Sequence, residues 1–165
     1  MWLNLPDQTL NTLISGLADR ESSFLARRNL LKQTHRHVSA SMRRRLYCCS
    51  LFLDLQDHYL SILGKFGKGK EAIAALSQDE LSALILNIPP LDVEVCLAAQ
   101  HQQQWDRQEV SNDIRDFSHL CMAVPYCDVV VTEEYWVHKL SREKLDRKYN
   151  TTLFSDVCQL PRLLK

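Results

Sequence analysis

The chain has 165 residues, of which 45% are hydrophobic and 24% charged, which is ordinary globular usage. Lys+Arg and Asp+Glu balance at 20 each, so the chain as a whole is no electrostatic magnet for nucleic acid, and any such attraction must come from local clustering. Scarce Gly (4) and Pro (5) argue against a loop-rich or all-β fold, and no apolar run approaches the ~20 residues that span a bilayer.

The length is enough for one domain with a real core. The six cysteines form no C-x-x-C pair, and no Cys/His spacing fits a zinc site. Asn4, Pro6 and Asp7 interrupt any secretory apolar segment at once. These features predict a cytoplasmic protein with reduced, mostly buried thiols and no membrane contact.

In chain order, Leu10, Leu13, Ile14 and Leu17 have the spacing of a helix that buries one face over Met1–Ala18. Asp19–Val38 continues as helix, and Ser39–Gly64 is a third long helical pattern. Within it, Leu46–Leu55 also reads as a buried strand; Gln56–Leu63 carries the helical period onward without a turn signal, which favours helix. Arg43, Arg44 and Arg45, with His35, Arg36 and His37, make the one strong basic cluster. It is either a phosphate or nucleic-acid contact or a solvated helix face.

Gly64–Lys70 holds three of the four glycines and reads as a flexible connection. It lacks the spacing of a phosphate-cradling loop. Ser77 and Glu80 have the spacing of a capping box, which opens a short helix over Gln78–Leu86. Pro89-Pro90 forces a bend, and Leu91–Gln104 resumes as helix. Residues 1–75 thus form a helical N-terminal region, and residues 76–165 hold the rest of one unit.

Ser111–Glu134 is the informative stretch. Ser111 or Asn112 can cap a helix with Ile114, Phe117, Leu120, Cys121 and Val124 on its inner face. Pro125 is expected to end it. Val129-Val130-Val131 then has the β-branched run of a strand buried on both faces. Helix and strand have matching expected lengths, about 18 Å and about 20 Å. The strand should therefore return Thr132, Glu133 and Glu134 to the helix start, near Asp113 and Asp116. Converging carboxylates must protonate, spread into water or share a cation, and oxygen ligands suit Mg²⁺ or Mn²⁺. The competing reading is that these acids favour the N-terminal dipoles of two helices.

The pattern from Asn112 to Glu134, with Asp116 on a helix and Thr132-Glu133-Glu134 at a strand end, resembles the C-terminal half of PIN-like nuclease domains. The resemblance implies an α-rich α/β fold, with long N-terminal helices packed on a small parallel sheet and its flanking helices. It implies a metal-dependent ribonuclease acting on RNA. Asp116, Glu134 and Asp113 would be catalytic and hold Mg²⁺ or Mn²⁺, and Glu94 would match the family's middle acid. The family's first strand, with its Asp, has no counterpart at the expected distance; Asp54 is the nearest substitute and lies too close. The alternative is a non-catalytic helical module that keeps a PIN-like remnant as its core and meets a protein partner or a second copy of itself.

Overall fold

The computed structural model describes residues 22, 25–26, 29–30, 33–34, 37–101, 103 and 110–164. The helix expected over Met1–Ala18, and the linker expected over Trp105–Val110 apart from Val110 itself, lie outside these residues; of the helix expected over Asp19–Val38, the described residues Ser22, Leu25, Ala26, Asn29, Leu30, Gln33 and Thr34 are helical. The described part is helix-rich with a small two-stranded parallel sheet.

The first long helix, α1, spans Ala40–Lys65. Ser39 caps it, its hydroxyl accepting the Met42 N–H at 3.3 Å. The Leu46–Leu55 run is therefore helix, and Tyr47, Cys48, Leu51 and Phe52 are its buried side. Gly67, at φ +67°, ends the helical path in a left-handed conformation that glycine adopts without steric cost. A five-residue helix, α2 (Lys70–Ala74), follows.

Helix α3 (Gln78–Leu86) starts with the capping box the sequence predicts. Glu80 accepts the Ser77 N–H at 2.8 Å, and the Ser77 hydroxyl accepts the Glu80 N–H. Helix α4 (Pro89–His101) begins at the prolines themselves rather than after them. Proline fits a first helical turn, where its missing N–H has no helical acceptor. The bend falls between α3 and α4, which meet at 107°. No single helix among the described residues is long and apolar enough to cross a membrane.

Helix α4 is the centre of the core. Val93, Val95, Cys96, Leu97, Ala98 and Ala99 are all buried, because α1, α3, α5 and α6 pack around it. A helix apolar on all sides is what such a position requires.

Helix α5 spans Ser111–Tyr126. Its predicted inner face, Ile114, Phe117, Leu120, Cys121 and Val124, is buried. Pro125 lies within the last turn instead of ending the helix before it. Strand β1 (Val129–Val131) pairs in parallel with β2 (Thr152–Phe154), Val129 opposite Thr152 and Val131 opposite Phe154. Helices α6 (Glu134–Arg142) and α7 (Leu145–Tyr149) form the crossover that a parallel pair needs. Lys144 and Asn150, at φ +58° and +54°, bracket α7. A 3₁₀ helix over Val157–Leu164 follows β2.

The expectation of two-sided burial for β1 is corrected. Val130 is buried, but Val131 is 41% exposed. Val130 turns to the helical body, while Val129 and Val131, on the other side of the pleat, are half-buried and exposed.

Candidate functional site

Trp136, in the first turn of α6, lies with its ring 6.4 Å from that of Phe117 in α5. The acids of this region nevertheless take separate paths. Asp113 is buried, and its carboxylate accepts the Val110 N–H at 3.2 Å, which is half of a capping box. Asp116 is half-buried on the same helix, while Glu133 and Glu134 are exposed at the start of α6. Glu94, on α4, accepts the Tyr47 hydroxyl of α1 at 2.9 Å. Among the described residues, no three His, Cys, Asp or Glu side chains lie together where they would hold a metal ion. Magnesium and manganese need several oxygen ligands directed at one point. As placed, Asp113, Asp116, Glu134 and Glu94 do not supply that donor set.

The three consecutive arginines also separate. Successive helical residues point about 100° apart, so a run cannot share one face. Arg43 is buried and donates to the Val38 carbonyl. Arg44 donates to Cys96 Sγ at 2.7 Å and pairs with Glu143 at 3.5 Å, joining α1 to α4 and to the end of α6. Arg45 alone is exposed.

Two further polar contacts hold the helices together. Asp92, in the first turn of α4, accepts from Lys148 Nζ at 2.8 Å and from the Tyr149 hydroxyl at 2.9 Å. Burial pushes the Cys96 thiol up to about 12, against the opposing pull of the Arg44 guanidinium. Cys96 is thus a neutral, packed thiol, and Cys48 and Cys121 are buried likewise. Cys127 and Cys158 are exposed, so the expectation of mostly buried thiols holds for the helical body and fails beside the sheet.

A different group of side chains converges where no motif marks the sequence. A cavity of about 360 Å³ opens between α4 and α6, lined by Gln100, Gln103, Tyr135, His138, Lys139 and Arg142. Helical spacing places His138 and Arg142 four apart on one face of α6, with Lys139 beside them. Lys139 is 4% exposed, and its ammonium stands 4.8 Å from the centre of the Tyr135 ring, within cation–π range. Gln100 Nε2 donates to the Lys139 carbonyl at 2.8 Å, which fixes α6 against α4 at this point. Beneath the cavity, Trp136 stacks on His101 at 5.8 Å and meets Tyr135 edge-on at 5.0 Å.

The chain matches no family model, no curated protein and no solved structure. Two groups of its own side chains bear on function, the dispersed acids and the polar and basic side chains around the cavity. The second group is hidden in the sequence because its halves are separated by the whole of α5 and β1. Its one local trace is the basic, amphipathic end of α6, which reads equally well as a complement to the helix dipole.

Proposed function

We propose that this chain is a non-catalytic helical binding module whose α5–β1–α6 segment, the PIN-like remnant, serves as scaffold. The observation that carries this reading is the separate use of the candidate acids. Asp113 closes the start of its own helix and Glu94 bonds across to Tyr47, while Glu134 faces solvent. A carboxylate that meets a backbone N–H or a phenol in this way already has a structural role. Six cysteines, none of them in a disulfide, keep the cytoplasmic placement as part of the proposal.

One observation favours the nuclease reading instead. The Phe117–Trp136 contact brings the start of α6 toward the half of α5 that carries Asp116. In that reading Asp116, Asp113 and Glu134, with help from Glu94, would gather around Mg²⁺ or Mn²⁺ and the substrate would be RNA. The two are separated by incubating a mixed RNA pool with Mn²⁺ and either wild type or Asp116→Asn, alongside Mn²⁺ calorimetry. The module reading expects equal, background-level cleavage and no saturable Mn²⁺ heat. Cleavage that Asp116→Asn abolishes would reverse the choice.

A further inference from the structure

The geometry points to the outer edge of β1 as the surface on which a second copy of this chain pairs, strand against strand, across a two-fold axis. This inference rests on the binding-module reading and names the partner for it.

The hydrogen bonds of the sheet fix which backbone groups are left over. Thr152 N–H donates to the Asp128 carbonyl at 2.8 Å, and Thr132 N–H donates to the Phe154 carbonyl at 3.0 Å. Asp128 and Thr132 therefore turn their backbone toward β2, and the alternation of a ladder adds Val130 to them. The N–H and C=O groups of Val129 and Val131 point the other way. They take no hydrogen bond among the described residues. An unpaired strand edge is a template for another strand, and proteins commonly blunt it with a Lys, a Pro or a bulge. Val129-Val130-Val131 holds no Lys or Pro, its register with β2 runs without a bulge, and Val131 is 41% exposed.

A second copy suits this edge because the edge is self-complementary. A two-fold axis makes the same patch face itself, and two β1 strands related in that way run antiparallel. Centred on Val130, the pairing sets Val129 opposite the partner's Val131, and Val131 opposite the partner's Val129. Both are hydrogen-bonded pairs, each exchanging both of its bonds, so every leftover group of the edge is satisfied. Asp128 falls opposite the partner's Thr132, and no like charges stand directly across from each other within the strands. The two-stranded sheet of each copy becomes half of a continuous one, which is the larger assembly that so short a pair of strands lacks alone. Three residues a side make a contact smaller than the ~1,000 Å² of a stable interface. The dimer is accordingly weak and forms at about 0.1–1 mM.

The test is sedimentation equilibrium on the full chain from about 10 μM to about 1 mM, with amide exchange followed at both ends of that range. The apparent mass should rise toward that of a dimer, and the Val129 and Val131 amides should exchange more slowly at the higher concentration. Val131→Pro removes an N–H on the outer edge and none of the bonds to β2, so it should stay monomeric. Val131→Lys, at the same exposed position, keeps every N–H and sets a charge against the partner's Val129; it should stay monomeric as well, which covers a failure of the proline variant to fold. Val131→Thr, β-branched and with its N–H intact, should associate within about twofold of wild type. A wild-type monomer at the highest concentration, growth past the dimer, association without slower exchange at Val129 and Val131, or unchanged association in Val131→Lys would overturn the proposal. None of these outcomes depends on RNA cleavage or Mn²⁺ binding, so the two readings fail separately.

Discussion

Replacing Trp136 with Ala should lower the unfolding free energy by about 3–5 kcal/mol, the usual cost of removing a buried large aromatic. Trp136 is 1% exposed and is the largest fully buried side chain among the described residues. Its ring contacts join three helices: His101 from α4, Phe117 from α5 and Tyr135 from α6 itself. Small domains have only about 5–15 kcal/mol in total, so one such cavity removes a large share of it. The loss should register as a fall in the urea midpoint followed by far-UV circular dichroism, with Trp136→Phe falling by less. A change below about 1 kcal/mol for Trp136→Ala would mean that this aromatic junction does not hold α6 to the body.

Asp92→Ala should cost roughly 2–3 kcal/mol, the second largest effect, most of it from the buried hydrogen bonds it removes. The Asp92 side chain is 3% exposed and accepts both Lys148 and Tyr149. Removing it takes the near acceptor from the half-buried Tyr149 hydroxyl and leaves it the Pro89 carbonyl at 3.4 Å, which accounts for about 1–3 kcal/mol. The Lys148 share is discounted, because that side chain is 52% exposed and water competes for it. Helix α7 has five residues, far too few to persist without tertiary contacts. The same site has a pH signature. Burial and the bond to Asp92 raise the Tyr149 phenol above its ordinary value. Above about pH 10 the unfolded chain loses this proton while the folded chain keeps it, so stability falls as pH rises. Chemical unfolding of wild type and Asp92→Ala at neutral pH and at about pH 10.5, just past the ordinary tyrosine value, checks both points. The gap between the two should narrow at the higher pH.

Local signals were legible in the sequence and partnerships were not. The Ser77–Glu80 box, the helical period through Gln56–Leu63 and the inner face of α5 depend on neighbours within a few residues, and each is present as expected. The small parallel sheet that the resemblance implies is present as one pair, Val129–Val131 with Thr152–Phe154. What failed depends on residues far away. Three valines look alike whether a strand has one covered face or two, and here Val130 is buried while Val131 is exposed. Asp92 reads as an ordinary first-turn acid because its partners lie 56 and 57 positions on. Arg43–Arg45 looks like one patch because a linear run hides the angle between successive side chains. The matched lengths of α5 and β1 describe only the chain path, and path says nothing about where a carboxylate turns.

The crossover also bears on how readily each part of the fold opens. Strands β1 and β2 are joined through α6 and α7, which carry the chain from one strand to the other. Local helical contacts form quickly, and pairing across a long intervening segment comes late. The β1–β2 pairing spans 23 positions and the contacts of α1 with α4 span 47 and 52, so the sheet is not the longest-range part to close; with two strands of three residues each it should nevertheless open more readily than the buried α4. Native-state hydrogen exchange reads this directly: the amides of Val130 and Leu153 should exchange sooner than those of Val95 and Leu97 in α4. The segment with the most strand-like sequence is then less persistent than the helix at the centre of the core.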